Sequence, residues 1–339
     1  DEVLREGRQF MLENAAELHF TRRSISYVDQ VKGEMSKPLD SMRDLVILRS
    51  DGSPVFHLAN VVDDITQRVS HIIRGDDHVE NTFRHLFLFA CLDAKPPVYA
   101  HLPMIVNASG KPYSKRDGDA FVGDFRDKGF LPQALFNYLS LLGWSPGDDR
   151  EKMSRDELVE AFSLQRCLRS SAQMDQVKLA ALNGLYIAEM ELSEFIAQCR
   201  EFVQRLPWGK DLDEDYFRRV CAFMQSRLKR FADVEQWQYF FVEDYVKDEK
   251  FCQKQLSDEN TLKALSLLHD KLAVLNEFTA EHIEACIHEV TSEADIRQGR
   301  LNQPIRAAIT GISTGAGIYE TMELLGAERS IKRLKLSGK

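Results

Sequence analysis

From Phe56 onward, apolar runs that end in charge alternate with stretches of helical spacing. "VFHLANVVDD" and "VSHIIRGDDH" each close an apolar, strand-like run with acidic residues. "NTFRHLFLFACLDA" then carries apolar positions at helical intervals, and "PPVYAHLPMIV" reads as a further strand. Strand, helix, strand predicts a parallel α/β sheet, whose ligands bind at the carboxyl ends of the strands. Arg74, Asp76, Asp77 and the loop at residues 111–116 all fall where such strands should end. Ahead of this block, residues 1–55 mix a short helical opening with the β-like runs "SISYV" and "DLVILRSDGSP", the second closed by the turn residues Asp51, Gly52, Ser53 and Pro54. They predict a small α+β insert. Beyond Asp119 the periodicity is helical: "LPQALFNYLSLLGW" sets Leu131, Leu135, Tyr138, Leu139 and Leu142 on one face. "SRDELVEAF" opens with Ser154 three residues before Glu157, a capping-box signature. From about residue 190 helical spacing dominates to the end, without internal repeats or low-complexity tracts.

Composition narrows the class. A chain of 339 residues, 44% hydrophobic, predicts two or three domains with ample cores. Its net charge of −9 argues against binding nucleic acid by bulk attraction, while leaving room for one basic face on an acidic body. Cys91, Cys167, Cys199, Cys221, Cys252 and Cys286 are widely spaced with no CxxC, which fits free thiols in a reducing compartment better than disulfides or a zinc site. No run approaches the length of a membrane span, and "DEVLREGRQF" lacks the basic start and apolar core of a signal peptide. The expected location is the cytoplasm, or an organelle after loss of a transit peptide. The first residue is Asp1, not methionine, so a processed, cut or incomplete chain is expected.

Candidate chemistry centres on two segments. "GKPYSKRDG", residues 110–118, holds Lys111, Ser114, Lys115 and Arg116 between two glycines. A lysine on such a loop can fold over a triphosphate and neutralise the charge that develops as pyrophosphate leaves. The loop is no P-loop, because GxxxxGK[ST] is absent, and Lys115 taken alone reads more readily as a solvated surface charge. In "IIRGDDHVENT" an arginine ends an apolar strand, where half-burying it is costly unless a carboxylate meets its planar fork. Arg74 is therefore a candidate clamp for an acidic substrate, with an internal ion pair to Asp76, Asp77 or Asp64 as the alternative. Asp76, Asp77 and His78 lack further ligands at metal-binding spacing and read as hydrogen-bonding groups for a nucleotide sugar or base. "HLANVVDD" offers Asn60 to orient a polar substrate, beside Asp63 and Asp64, which equally fit as caps of the next element. His57 and His71 read as packed histidines rather than bases.

In their order along the chain, "DLVILRSDGSPVFHLANVVDD", "HIIRGDDHVENT", "HLPMIVNASGKPYSKRDG", "GFLPQALFNYLSLLGWSPGDD" and "LNGLYI" resemble a bacterial or organellar glutamyl-tRNA synthetase, a class I enzyme. The likeness runs from about residue 17 to the tail, "QPIRAAITG" and "IYETMELLGAERSIKRL". It implies an α/β plus all-α chain. Residues 1–55 would be the remainder of an α+β connective insert and 56–107 the second half of a Rossmann-type catalytic domain. Residues 108–190 would be a stem-contact fold with a KMSKS-like loop, and 191–339 an α-helical anticodon-binding region. A β-barrel in the C-terminal third would point instead to the eukaryotic or glutaminyl branch. The resemblance also implies a reaction: glutamate is activated with ATP and Mg²⁺ as a substrate complex, then passed to the 3′ end of tRNA-Glu with no covalent enzyme intermediate. "PYSKR" occupies the place of the signature usually given as KMSKS, in this family commonly KLSKR, so Ser114 and Lys115 inherit the stabilisation of the activation transition state. Asp76, Asp77, His78, Lys115 and Arg116 fall on the ATP side. Phe56, Asn60 and Arg74 fall on the glutamate side, Arg74 where the family's arginine meets the acidic side chain. A monomer with no bound zinc and no membrane partner is implied.

Three departures from the family pattern carry their own expectations. Pro112 replaces the first lysine of the signature, removing a cation and stiffening the loop. Phe56 stands where a tyrosine is usual and loses a hydroxyl. The strand, HIGH-type motif and helix N-terminus with which the family begins have no counterpart in residues 1–50. The chain thus resembles the C-terminal two-thirds of the enzyme, expected by itself neither to bind ATP tightly nor to aminoacylate. Two other readings stay open here. One is a non-catalytic tRNA-binding module that sets Arg227, Lys229, Arg230 and the terminal Lys332, Arg333 and Lys335 against phosphates. The other is a partner subunit completed by a separate N-terminal fragment.

Overall fold

The computed structural model describes residues 18–20, 24–116, 118, 120–297 and 299–337; the expected helical opening lies outside them. The chain divides into two compact units, one formed by the residues up to 122 with 133–176, the other by 123–132 with 177–339. In the first, β2 (Ser24–Asp29) runs antiparallel to β1 (Leu18–Phe20) and to β3 (Gly33–Pro38) on its opposite edges. Past the end of β1, Asp29 pairs in parallel with Tyr99. There β2 joins the parallel pair β4 (His71–Gly75) and β5 (Val98–Leu102).

Two strand expectations are corrected. "VFHLANVVDD" lies in helix α1 (Phe56–Thr66): Val61 and Ile65, one turn apart, are both fully buried while Phe56 is exposed, a period of about four rather than two. "DLVILRSDGSP" makes only the isolated bridge Leu48↔Pro54 around Gly52, which needs its φ of +80° for the turn. Val46 there is 70% exposed, so the apolar run has no ladder to join.

Helix α2 (Val79–Cys91) carries the chain from β4 back to β5, completing the expected β-α-β crossover. Next, β6 (Ile105–Val106) pairs in parallel with β7 (Ala172–Gln173) in a separate small sheet. Most of α3 (Val122–Asp127) belongs with the second unit, and the first resumes along α4 (Pro132–Leu141) and α5 (Arg155–Ala161). The capping box is present: Ser154 Oγ accepts from Glu157 N at 3.2 Å and Glu157 Oε2 from Ser154 N at 2.8 Å. On α4 the expected face is corrected at one position. Leu139 is exposed, and the buried place falls to Asn137, whose Oδ1 accepts from Met153 N at 2.9 Å and so anchors α4 to the entry of α5.

The second unit is helical: α6 (Gln176–Ala188), α7 (Leu192–Val203), α8 (Glu214–Met224), α9 (Gln238–Phe241), α10 (Glu249–Gln255), α11 (Glu259–Ala273), α12 (Ala280–Glu293), α13 (Asn302–Ile309), α14 (Ile318–Leu325) and α15 (Ala327–Ser337). Asp213, Asp248, Asp258 and Thr279 accept the backbone N–H three residues on, which fixes where α8, α10, α11 and α12 begin. One continuous core runs from Ile187 through Phe231 and Ile305 to Leu334. Its polypeptide is helical where the glutaminyl branch would require a barrel.

Candidate active site at the ends of the parallel strands

Register decides what meets at the carboxyl ends of β4 and β5. Arg74 lies opposite His101 and Ile72 opposite Tyr99, and residues two apart share a sheet face, so these four project together. That face packs on Tyr27 and, from α2, on Phe83 and Leu86. The Arg74 guanidinium lies 5.5 Å from the Tyr99 ring centre, and Tyr99 stacks on the His101 ring at 6.0 Å and 6°. Arg74 donates from Nε to His101 Nε2 (3.3 Å) and from Nη2 to Thr82 Oγ1 (2.6 Å) and His78 O (3.3 Å). It forms no ion pair with Asp64, Asp76 or Asp77, the alternative left open by residue type. Burial lowers its pKa, against the opposing pull of the Tyr99 and Tyr27 hydroxyls and of Asp64. A half-buried guanidinium whose partners are a ring nitrogen, a hydroxyl and a backbone carbonyl, none of them a carboxylate, retains an unmet demand for an anion.

Behind it stands a pair that the sequence reading missed. Asp29 and His101 are fully buried, with Asp29 Oδ2 2.6 Å from His101 Nδ1. Asp29 Oδ1 accepts from the backbone N–H groups of Val31, Lys32 and His101. Burial works to raise this carboxyl, but the hydrogen bonds from His101 and from the Lys32 and Val31 amides outweigh it and hold the pKa below the usual carboxylate range. Asp29 ends its strand, the same signal that singled out Arg74, whereas His101 lies inside the apolar run "PPVYAHLPMIV".

The acidic turn after β4 is partly committed. Asp76 is paired with Lys32 at 2.6 Å, and the same ammonium donates to Arg169 O at 3.1 Å. Asp77 is exposed and His78 Nδ1 meets Asn81 Nδ2 at 3.0 Å. A Cβ at Gly75 would sit 2.5 Å from Asp77 Oδ1, so the exposed Asp77 side chain would have to swing aside. From α1, His57 and Asp64 both lie within reach of the Arg74 charge, and Asn60 falls between them on that helix face. His57 Nδ1 meets the buried His85 Nε2 at 3.1 Å, and the exposed Phe56 ring lies 5.9 Å from His85. Burial, with the Arg74 charge second, pushes His85 down to about 3; burial pushes Asp64 up to about 6 despite Arg74. His57 is thus partly packed, whereas His71 is not. It lies exposed on the other face of β4, beside Ser70 Oγ at 3.0 Å.

The basic loop folds back on β6. Asn107 Oδ1 accepts from Ser109 and Lys111 N–H groups, Gly110 turns at φ +75°, and Val106 bridges to Pro112. The ladder uses Lys111 O and Tyr113 N, so the N–H that Pro112 lacks costs no hydrogen bond. Gln176 Nε2 donates to Tyr113 Oη at 3.1 Å, and Arg116 N donates to Ser114 Oγ at 3.3 Å. Lys115 and Arg116 are exposed and pair with no carboxylate of a described residue. The structure therefore sets Arg74, Asp76, Asp77 and His78 at the end of β4, carries Phe56 and Asn60 on α1, and sets Ser114, Lys115 and Arg116 on a loop with no hydrogen bond or ion pair from Lys115 or Arg116 to Arg74 or the acidic turn.

In the second unit Arg227, Lys229 and Arg230 line a cavity of about 360 Å³ with Trp237, Tyr239 and Thr314. Arg230 is held twice by Asp233. Arg306, beside Gly315 of the cavity wall, donates from Nη2 to Ala316 O at 2.7 Å, while its buried Nη1 has no partner among the described residues. The terminal cluster is corrected: Arg333 is buried and donates to the carbonyls of Ile309, Tyr239 and Val242, and Lys332 reaches Glu243 at 3.4 Å. Arg333 ties three segments of the core together.

These two units are those of a class I aminoacyl-tRNA synthetase. Residues 16–181 match the family of "tRNA synthetases class I (E and Q), catalytic domain", and residues 194–337 match an "Anticodon binding domain". A glutamate–tRNA ligase of Thermobifida fusca is 36% identical over 91% of the chain, which covers 65% of that protein. One of Legionella pneumophila (strain Paris) is 37% identical over 92% of the chain, covering 66%. One of Salinispora tropica is 35% identical over 91% of the chain, covering 68%. The crystal structure of a glutamate tRNA ligase from Elizabethkingia meningosepticum, in complex with its amino acid, superposes with a TM-score of 0.72 at 25% identity. It covers 98% of this chain and 70% of that one. The chain belongs to the glutamate–tRNA ligase family and spans about two-thirds of the length of these relatives.

Proposed function

We propose that this chain supplies the glutamate-recognising, lysine-loop and tRNA-binding parts of a glutamate–tRNA ligase, whose whole activates glutamate with ATP and Mg²⁺ and transfers it to the 3′ end of tRNA-Glu. One observation carries the reading: Arg74 is held at the carboxyl end of a parallel strand by a ring nitrogen, a hydroxyl and a backbone carbonyl, with no carboxylate among these partners. A substrate carboxylate would supply the anion it lacks, and a neutral amide would leave the buried charge unmet, which is how such a site separates glutamate from glutamine. Asn60 and Phe56 border the same pocket. Asp77 and His78 face the nucleotide, and Ser114, Lys115 and Arg116 serve its phosphates, with Mg²⁺ arriving as part of the ATP substrate. Asp76, held by Lys32, shapes the turn. Residues 56–107 then act as the second half of the catalytic domain, 108–190 as the stem-contact fold and 191–339 as the anticodon-binding region. Support for the last comes from the cationic wall of the Arg227 cavity beside the unpartnered Arg306 Nη1, a site for phosphate or base-edge acceptors of RNA.

The test is glutamate-dependent pyrophosphate exchange by the full-length protein. Arg74→Ala should raise the KM for glutamate by about 10²-fold or more and erase the preference over glutamine, as loss of a buried charge partner does. Lys115→Ala should lower the activation rate by about 10²-fold with little change in the KM for glutamate. An Arg74→Ala protein that still prefers glutamate would refute the assignment.

A further inference from the structure

We propose that His101, with its tautomer set by Asp29, is the positioning residue that aims the Arg74 guanidinium at the substrate carboxylate. The inference rests on Arg74 as the glutamate clamp and concerns what holds that clamp. Asp29 Oδ2 stands 2.6 Å from His101 Nδ1, and Asp29 Oδ1 is filled by three backbone N–H groups. An ionised carboxylate can only accept, so Nδ1 carries the hydrogen. The lone pair of a neutral imidazole is then on Nε2, which is where Arg74 Nε points (3.3 Å), with Thr82 Oγ1 3.0 Å away and its hydroxyl within reach of His78 O as well (3.2 Å). Thr82 Oγ1 in turn accepts from Arg74 Nη2. Two of the three guanidinium nitrogens are thereby anchored, and Nη1 makes no hydrogen bond with a described residue. Stacking on Tyr99 fixes the plane of the His101 ring. Asp29 thus places a buried negative charge behind the arginine without touching it, so the clamp stays unneutralised at its open end.

Asp29→Asn keeps the shape and reverses the relay. The Asn oxygen takes over the backbone N–H groups and its amide points a donor at Nδ1, which forces hydrogen onto Nε2 and sets it against Arg74 Nε–H. Histidine ¹⁵N spectra of the chain should show the Nδ1–H tautomer at His101 in the wild type and Nε2–H in Asp29→Asn, with hydrogen exchange at Arg74 Nε rising at least tenfold. In the full-length protein, the KM for glutamate should rise roughly 10- to 100-fold with the KM for ATP unchanged. A second pair of variants covers a failure of Asp29→Asn to fold. His101→Gln keeps an acceptor near Nε2 and should hold the glutamate KM within a few-fold; His101→Phe, the better ring mimic, should lose what Asp29→Asn loses. A structural role alone predicts the reverse order, and wild-type behaviour in His101→Phe, or unaltered Arg74 Nε exchange in Asp29→Asn, would overturn the proposal. A wild type indifferent to glutamate yet protected at Arg74 Nε would establish the anchoring and refute the substrate assignment.

Discussion

The two units bury polar groups in opposite ways. In the first, Asp29, Asp64, Thr82, His85 and His101 lie inside, and most of them meet other side chains rather than their own backbone. In the second, the buried hydroxyls of Thr310, Thr321 and Ser330 each donate to a nearby helix carbonyl, and Arg333 spends its donors on three more. A hydroxyl closed on its own backbone is inert, whereas linked ionisable groups respond to pH, to one another and to an incoming charge. The contrast separates a unit whose buried charged groups are linked to one another from one whose buried polar groups close on backbone carbonyls.

The largest break in this comparison comes from the helical core. Phe231 is 1% exposed and lies 5.8 and 5.9 Å from the rings of Phe195 and Phe202. Phe231→Ala should cost about 3–5 kcal/mol. With fluorotryptophan at the three tryptophans, the Trp208 and Trp237 resonances should move to lower urea midpoints while Trp144, in the first unit, stays. A matching shift at Trp144 would show that the units unfold as one.

The charged core of the first unit gives an effect of the opposite sign. Asp64 has its folded pKa raised to about 6 by burial, so the folded state binds a proton that the unfolded state has released. Its contribution is present below the unfolded pKa and is lost as pH rises through about 6. His85, lowered to about 3, is neutral in the fold, and its contribution is lost as pH falls from its unfolded pKa toward 3. Between them the two slopes oppose. Asp64→Asn should therefore match the wild type near pH 3 and be more stable by up to about 3 kcal/mol above pH 7, a gain read at Trp144 by urea unfolding. A constant difference across that range would mean that Asp64 is ionised in the fold throughout.

The same contrast explains what was legible in the sequence. The helices of the second unit announce themselves by period and by Asp or Thr caps, which are local signals. The β4-α2-β5 crossover and Arg74 were legible because a charged residue ended an apolar run. Asp29 carried that same signal and His101 did not; they lie 72 residues apart, and their value comes from parallel register, which no window of sequence contains. Helix α1 misled because its apolar residues are crowded enough to read as a run, and only burial of Val61 and Ile65 reveals the turn. Arg333 read as surface charge because its three carbonyl partners are contributed by segments far away in the chain.

The smallest expected effect tests how far local signals carry in the unit governed by long-range ones. Ser154 closes a reciprocal box with Glu157 at the start of α5, which contributes only Leu158 to the core and leaves Val159 65% exposed. With so little packing to hold the first turn, the cap should decide whether it forms. Ser154→Ala removes the acceptor for Glu157 N and should cost about 1 kcal/mol. Glu157→Gln keeps both hydrogen bonds and loses only the charge near the helix N-terminus, so it should cost less, and less still in high salt. Trp144 packs with Met153 and Leu158, and its resonance reads both variants in the same urea titration. A loss in Glu157→Gln with none in Ser154→Ala would mean that charge rather than the box holds the turn, and no loss in either would mean that packing against Trp144 suffices.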